Sequence, residues 1–390
     1  MPNAATILAF RTGELGTWRE KVGGMASFAR VVGWRLQPID ARDAAPDVPG
    51  LIAFWHAAGA IIDASGAPTR FSPDDFGDLP TVWMNPGAEP RGRRGPLPFV
   101  ASDSEAIARL VASELLSASP ASILFVEWPE PWRWSTIKRD LMRKFARLHA
   151  IPFHVVTPSA QELADAAALQ SRIGSVLAEM PLPCGVFAVT DILGAAAIGA
   201  AARGGLAVPG DIAVASVDDD PEICENCSPT LTSVRPNFHS LGFAAGRLLQ
   251  RAIAAAAPIK AECEVVPPIG IVRRASTLAL QRADTEAAGA MELIRREACS
   301  GLRPGDAAAL FHTSRRAAEL RFKAATGMTF GQAILERRLA AACDYLRSGN
   351  ATIAAIADFC GWNSDLAFRK AFKAQFSIPP TRWASRARQF

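Results

Sequence analysis

The chain has 390 residues, of which 49% are hydrophobic and 21% are charged. These proportions exclude a disordered or collagen-like chain and predict two or three domains with buried cores. The net charge is only +4, yet residues 290–390 carry 16 basic and 8 acidic side chains, so a mildly acidic body precedes a basic tail. A basic tail domain is typical of proteins that bind the nucleic-acid backbone, although a solvated arginine-rich surface has the same composition.

Membrane and disulfide-based classes are also disfavoured. No apolar stretch reaches the roughly 20 residues that a membrane-spanning helix needs. The first ten residues lack the basic start of a secretory signal. The 7 cysteines are odd in number and widely spaced, which argues for a reducing compartment. We therefore expect a cytoplasmic protein.

Short apolar runs alternate with amphipathic stretches through residues 1–275. The predicted strands are Thr6–Phe10, Gly50–Phe54, Pro80–Met84, Ser122–Val126, Phe153–Val156, Gly185–Val189 and Ile212–Val217. The predicted helices include Ser104–Leu116, Lys138–Leu148 and Ile192–Ala202. This alternation predicts an α/β fold of doubly wound, mostly parallel sheets, in which ligands bind at the carboxyl ends of the strands.

Two carboxylates stand at such strand ends. Asp191 follows one predicted strand and Asp218 follows the next one along the chain. A carboxylate accepts hydrogen bonds from neighbouring hydroxyls, so the pair suits a polyol or a sugar. Helix capping or turn formation is the alternative role for an Asp at these positions.

The residues around these carboxylates carry a family resemblance. The segments Gly185–Asp191, Val208–Val214, Val217–Asp220 and Pro229–Val234 resemble the sensor core of LacI-type regulators, which share the fold of periplasmic sugar-binding proteins. The resemblance covers nearly all of residues 5–275 and implies two α/β lobes joined by crossing strands, with a ligand in the cleft. It implies sugar contacts for Asp191 and Asp218. Thr190 stands where the family often has Asn, and Lys138 or Arg139 matches a further basic ligand contact.

Aromatic side chains add candidates for stacking on a sugar ring. Trp132 and Trp134 lie in a Trp-rich segment, and Phe10 and Trp55 stand near the ends of early predicted strands. Core or interface packing is an equally common use of such side chains. These residues are therefore candidate ligand contacts with a packing alternative.

The last 100 residues read as two helix-turn-helix units on either side of one long helix. That helix, predicted from Phe330 to Arg347, repeats apolar residues at helical spacing, and Leu335 belongs to its apolar stripe. In the second unit a turn at Gly361 precedes a helix over Asp365–Gln375, with Leu366, Phe368 and Phe372, or their neighbours, as its predicted buried residues. A basic protein-interaction module is the alternative to DNA recognition.

The second unit also resembles a known family. Its residues Ile353, Ile356, Ala357, Cys360, Gly361, Trp362, Ser364, Phe368 and Phe372, followed by Pro379, Pro380 and Trp383, are similar to the second motif of AraC-type transcription regulators. The resemblance spans 289–386 and implies an all-α double helix-turn-helix domain that binds double-stranded DNA. The DNA-contacting residues carried over from it are Ser314, Arg315, Arg316, Glu319, Asn363, Ser364, Asp365, Arg369, Lys370 and Lys373.

The order of the two modules narrows the resemblance. A sensor of the LacI type followed by an AraC-type domain, with the segment Pro267–Thr277 at the join, is similar to the XylR group of xylose-operon regulators. We therefore expect a sugar-sensing domain over 1–275, a linker over 276–288 and a DNA-binding domain over 289–390. The resemblance implies a homodimer, a monosaccharide effector such as xylose, and contact with RNA polymerase if the protein is an activator.

Enzyme chemistry has little support in the sequence. Cys224 and Cys227 form a lone CxxC without the second ligand pair of a structural zinc site, and the five histidines show no metal-binding spacing. No phosphate-binding loop, nucleophile elbow or HExxH motif is present, so we expect no cofactor, no metal and no catalytic residue. Two alternatives stay open, namely a DNA-binding regulator with a degenerate, ligand-free sensor and a sugar-processing α/β enzyme.

Overall fold

A computed structural model describes most of the chain. The described residues are 4–12, 15–41, 46–65, 72–92, 95–255, 262–278, 285–326, 328–348, 351–376 and 378–387. Apart from the short segment Val208–Gly210, the chain divides into a compact unit that ends at Arg273 and a second that begins at Arg274. Of the predicted linker, residues 279–284 lie outside the described residues, and the chain is helical from Thr285.

The first unit alternates strands and helices. Its strands are β1 (Thr6–Arg11), β2 (Arg35–Asp40), β3 (Ala57–Asp63), β4 (Thr81–Met84), β5 (Arg91–Gly92), β6 (Gly95–Pro96), β7 (Phe99–Ser102), β8 (Ser122–Val126), β9 (Phe153–Val156), β10 (Cys184–Ala188), β11 (Ile212–Val217), β12 (Thr232–Arg235), β13 (Cys263–Val266) and β14 (Gly270–Val272). Its helices are α1 (Leu15–Val32), α2 (Val48–Trp55), α3 (Ser104–Leu116), α4 (Arg133–Leu148), α5 (Ala160–Ala164), α6 (Ala166–Leu177), α7 (Asp191–Arg203), α8 (Pro221–Cys224) and α9 (Phe238–Ala254).

Two six-stranded sheets form two lobes. The sheet of lobe 1 has the order β13-β7-β4-β3-β1-β2, with parallel pairing throughout. The sheet of lobe 2 has the order β14-β12-β11-β10-β8-β9, in which β14 runs antiparallel to β12. The chain leaves lobe 1 after β7, returns through α9 to β13, and re-enters lobe 2 at β14. This architecture confirms the predicted doubly wound, two-lobe α/β fold.

Local sequence explains most element boundaries. The apolar run of β1 is buried on both faces, as expected for a central parallel strand. Helix α3 begins after Asp103, whose carboxylate accepts a 2.8 Å hydrogen bond from the Ala106 N–H, and it ends at Leu116 as predicted.

None of the helices within the described residues combines the length and apolarity needed to cross a bilayer.

One predicted strand is wrong. The run Gly50–Phe54 lies inside helix α2 because Asp47 caps the helix through the Gly50 N–H and Pro49 occupies its first turn. His56 then ends the helix in the left-handed conformation, with φ of 46°. The buried strand of this region is β3. It was not predicted because it begins with Ala and Gly, which are uncommon in strands.

Helices α1 and α9 of lobe 1 cross in backbone contact. A Cβ on Gly242 of α9 would stand 1.9 Å from the carbonyl oxygen of Lys21 in α1. A Cβ on Gly24 would stand 1.9 Å from the carbonyl oxygen of His239. Only glycine permits this approach. The crossing therefore fixes the position of α1 and of the side chains that it carries.

The second unit is all-helical. Its helices are α10 (Thr285–Glu297), α11 (Pro304–Ala308), α12 (Arg315–Thr326), α13 (Phe330–Ser348), α14 (Ile353–Phe359), α15 (Asp365–Phe376) and α16 (Pro380–Ala387). One apolar core gathers α10 to α12 around Phe322 and Phe330, and a second gathers α14 to α16 around Phe368 and Phe372. Helix α13 contributes to both cores, as predicted for the long central helix. Leu335 departs from the predicted stripe, since it is 38% exposed.

Candidate functional site

The carboxyl ends of the strands in lobe 2 bring together two buried polar residues, Ser135 and Lys138, and two half-buried ones, Thr190 and Asp218. Asp218 follows β11 with φ of 117°, Thr190 follows β10, and Ser135 and Lys138 lie in the first turns of α4. Ser135 and Lys138 are at most 4% exposed. The sequence therefore folds to bring a cation, a carboxylate and hydroxyls to the same edge of the sheet.

Lys138 and Asp218 interact electrostatically without being hydrogen-bonded. Within the described part of the chain, neither the Lys138 ammonium nor the Asp218 carboxylate has a hydrogen-bond partner, while Nζ of Lys138 lies 4.9 Å from the centre of the Trp134 ring. Burial lowers the pKa of Lys138 to about 8, and the charge of Asp218 opposes that fall. Burial raises the pKa of Asp218 well above its ordinary value, and Asp191 adds to the rise.

Further buried atoms near this pair lack partners as well. Among the described residues, the hydroxyls of Ser135 and Thr190 and the indole N–H groups of Trp132 and Trp134 make no hydrogen bond. Buried polar atoms are normally satisfied, and each exception costs about 1–3 kcal/mol. The cluster of unsatisfied donors and acceptors is thus a strong indication of a ligand site.

Asp191 has a different role from its predicted partner Asp218. Its carboxylate accepts hydrogen bonds from Ser216 Oγ at 2.5 Å, Ser233 Oγ at 2.6 Å and the Asp220 N–H at 2.7 Å. Burial raises the pKa of Asp191 to about 6, although these hydrogen bonds act to lower it. Because both oxygens are already occupied by protein donors, Asp191 holds the turn that carries Asp218.

The structure places the remaining predicted ligand residues away from the cluster or pairs them elsewhere. Phe10 is fully buried in the core of lobe 1, where its ring meets Phe76 edge-on at 5.4 Å, so it offers no face for stacking. Trp55 ends helix α2 and packs on the same core; its prediction rested on the mistaken strand. Arg139 is paired with Glu127 at 2.8 Å, which leaves Lys138 as the basic residue beside Asp218.

Lobe 1 contributes a buried ion pair that the sequence reasoning missed. Nζ of Lys21 in α1 lies 2.9 Å from Oδ2 of Asp63 at the end of β3 and donates to Ser65 Oγ at 2.8 Å. The charge of Lys21 also lowers the pKa of Asp218, against the larger effect of burial. The sequence contained a sign of this buried lysine, because Lys21 lies at helical spacing from Trp18 and Met25 on the apolar, buried face of α1.

A cavity of about 710 Å³ lies between loops of the two lobes. It is lined by Ala64, Pro73, Trp83, Pro86, Gly87, Ala88, Glu89, Pro90, Arg91, Glu130, Pro131 and Trp132. A Cβ on Gly87 would stand 2.6 Å from the Trp132 ring, so the loop after β4 touches the segment before α4. Of the polar cluster described above, only Trp132 lines this cavity, so the cavity itself does not contain Asp218 or Lys138.

The predicted DNA-contacting residues lie on helices α12 and α15 or immediately before them. Ser314 and Ser364 are exposed and accept hydrogen bonds from Ala317 N–H at 3.3 Å and Ala367 N–H at 3.2 Å, as helix N-caps. The other exposed members of the set are Arg315, Arg316, Asn363, Arg369, Lys370 and Lys373, while Glu319 and Asp365 are half-buried. Arg369 Nε donates to Asp365 Oδ2 at 3.3 Å.

Each of these two helices also exposes a leucine. Leu366 is 59% exposed, which corrects its predicted burial, and Leu320 is 64% exposed. At the second position after the N-cap, α12 has Arg316 and α15 has Leu366. At the sixth position the order is reversed, with Leu320 in α12 and Lys370 in α15. An exposed apolar side chain on a recognition helix suits the methyl group of thymine.

Comparison with known proteins agrees with both units. Residues 112–277 match the family model of the periplasmic binding protein-like domain, and residues 307–386 match that of the helix-turn-helix domain. The xylose operon regulatory protein of Haemophilus influenzae is 25% identical over 289 residues, 73% of each chain.

Solved structures give the same result for the fold. The structure of the xylose-binding transcription activator XylR superposes with a TM-score of 0.63 at 21% identity over 98% of both chains. The lac repressor dimer bound to operator superposes with a TM-score of 0.57 at 18% identity, covering 71% of this chain and 95% of that one. The chain therefore combines a periplasmic binding protein-like domain with a helix-turn-helix domain, the arrangement of a sugar-responsive transcription regulator, and it is similar over most of its length to the xylose operon regulatory proteins.

Proposed function

We propose that a neutral monosaccharide binds between the lobes beside Asp218 and Lys138 and thereby changes promoter binding by the second unit. The observation that carries this proposal is the set of buried polar groups without hydrogen-bond partners in the described residues. A sugar hydroxyl both donates and accepts, so one polyol can satisfy an ammonium, a carboxylate and a hydroxyl together.

The charges favour a neutral sugar over a sugar acid. Lys138 and Asp218 offset one another, and the nearby ion pair Lys21–Asp63 is already closed. An anionic effector would meet no unpaired arginine in this cluster, because Arg139 is held by Glu127. The rings of Trp132 and Trp134 offer apolar faces for the C–H groups of a pyranose.

Xylose or another pentose is the first candidate effector. The names of the relatives support this choice, since they describe xylose operon regulation and xylose binding. By the same analogy we propose a homodimer that acts in the cytoplasm on double-stranded DNA, and that contacts RNA polymerase if it activates transcription. The operator-bound lac repressor is a dimer, which supports the dimeric state.

Lobe closure is the proposed coupling step. A ligand that contacts groups from both lobes binds the closed arrangement more tightly than the open one. Only this difference in affinity can shift the equilibrium between the two states. Promoter affinity then changes by at most the same factor.

Isothermal titration of full-length protein with pentoses, hexoses and sugar acids tests the proposal. We expect one neutral sugar to bind saturably, and Asp218→Asn to weaken it at least tenfold. Glu179→Gln, an exposed carboxylate of lobe 2, is the control and should bind like wild type. Specific DNA binding without a response to any sugar would favour the alternative, a regulator with a ligand-free sensor.

A further inference from the structure

Two thiols meet inside the helix-turn-helix domain. Cys299 lies in the 3-10 turn Ala298–Ser300 after α10, and Cys360 is the C-cap of α14. Both are free thiols, and Cys299 packs against the second core, of which Cys360 is a buried member. Cys299 is half-buried and therefore reachable from solvent, whereas Cys360 is fully buried in the second core.

The backbone around the two cysteines holds them together. Gly361 has φ of 79°, and a Cβ on it would stand 2.8 Å from the carbonyl oxygen of Cys299. Arg338 donates from Nε to the Ala298 carbonyl at 2.7 Å and from Nη2 to the Leu302 carbonyl at 3.2 Å. The turn that carries Cys299 is thus clamped on both sides and pressed against the residue that follows Cys360.

The surroundings divide the two thiols into a nucleophile and a proton donor. The hydrogen bond from Cys360 lowers the pKa of Cys299 to about 7, against burial, and the guanidinium groups of Arg337 and Arg338 act in the same direction. The same pairing raises the pKa of Cys360. A substantial thiolate fraction on a solvent-reachable Cys299 is what reaction with an oxidant requires.

We propose that Cys299 and Cys360 are a modification site at which a hydroperoxide forms a disulfide between the two halves of the DNA-binding domain. The Cys299 thiolate attacks one peroxide oxygen, the O–O bond breaks, and the leaving oxygen takes a proton to become water or an alcohol. The Cys360 thiol then attacks the sulfenic sulfur, the S–S bond forms, and the S–O bond breaks to release water. Two thiols lose two electrons and the peroxide gains them.

The disulfide alters the surface that reads DNA. Its sulfurs stand about 2.05 Å apart, well inside the separation of hydrogen-bonded thiols. Cys360 precedes the turn that leads into α15, the helix that carries Arg369 and Lys370. Closing the bond pulls this turn towards the end of α10. We therefore expect the oxidised protein to bind specific DNA at least fivefold more weakly than the reduced protein.

Disulfide mapping of the full-length protein tests the proposal. Reduced protein is treated with hydrogen peroxide, and the remaining thiols are blocked with maleimide. The protein is then digested without reduction, and the masses of the peptides are measured by mass spectrometry. The expected product joins the Cys299 and Cys360 peptides with the loss of two hydrogens, and dithiothreitol reverses it. Oxidation that begins at the exposed Cys263, a bond from Cys299 to Cys343, or a sulfenic acid at Cys299 that never closes would overturn the proposal.

DNA affinity supplies the second readout, on sites selected from a random pool with reduced protein. Cys299→Ser should bind these sites normally and lose its sensitivity to peroxide, and Cys360→Ala should do the same if the buried substitution folds. Cys263→Ser, in the other unit, is the control and should keep the sensitivity. Unchanged affinity in a protein with the mapped disulfide would refute the effect on DNA binding. None of these readouts uses a sugar, so they stand apart from the effector proposal.

Discussion

Replacing Lys138 by Met should stabilise the sugar-free protein and at the same time lower its affinity for the effector. Met fills a similar volume but carries no charge. The ammonium of Lys138 is 4% exposed and has no hydrogen-bond partner among the described residues. If the proposed function is correct, this charge contributes to ligand binding at the expense of folding.

The magnitude follows from the pKa. Its fall from 10.5 to about 8 means that the folded protein disfavours the ammonium form. That difference corresponds to roughly 3 kcal/mol. Lys138→Met removes this penalty, so the free energy of unfolding at neutral pH should rise by about 1–3 kcal/mol. The loss of a charged hydrogen bond to the sugar should weaken effector binding by about 10–150-fold.

Urea unfolding without sugar and isothermal titration with sugar measure the two effects. Lys144→Met is the matched control, because Lys144 is an exposed lysine on the same helix. It should change neither quantity appreciably. A Lys138→Met protein that is less stable than wild type and binds sugar equally well would show that Lys138 is a structural residue without a role in binding.

Four further predictions concern the protonation of Lys138, the packing of Gly242 and the recognition of DNA by Arg369 and Leu366. Effector affinity should fall as pH rises through about 8, because Lys138 then loses the proton with which it donates to the sugar; this limb should be absent in Lys138→Met titrations. Gly242→Ala should destabilise the sensor by several kcal/mol, because its Cβ would overlap the Lys21 carbonyl, and chemical denaturation measures the loss. In binding assays, Arg369→Ala should cost about 1–3 kcal/mol of specific DNA affinity, and Leu366→Ala should relax the preference for thymine at one position while leaving non-specific binding intact.

The fold was largely predictable because its strands are continuous apolar runs. The predicted strand at Ser122–Val126 and the predicted helix at Ser104–Leu116 coincide with β8 and α3. The failure at Gly50–Phe54 has a local cause. A short apolar run fits a strand or a buried helix equally well, and the capping signal of Asp47 and Pro49 decides between them.

The candidate site was predictable only in part, for a different reason. Strand ends can be read from the sequence, and they led to Asp191 and Asp218. Which of two carboxylates is saturated by protein donors depends on contacts such as Ser233 Oγ to Asp191, which arise from the neighbouring strand. The contribution of Lys21 depends on the crossing of α1 and α9, which no local pattern reports.

Helix α15 shows the same limit. Periodicity assigned Leu366 to the buried side because leucine is apolar. The structure exposes it, since Phe368 and Phe372 already fill the second core.

The affinity for promoter DNA, measured with and without the effector, shows whether sugar binding controls DNA binding. Full-length protein is titrated onto selected DNA sites in the presence and absence of a saturating monosaccharide, beginning with xylose, and the experiment is repeated with Asp218→Asn. We expect one sugar to change the DNA dissociation constant of the wild type at least tenfold, and the variant not to respond at the same sugar concentration. Sugar binding that leaves DNA affinity unchanged, or an equal response in the variant, would show that sugar at Asp218 does not control DNA binding.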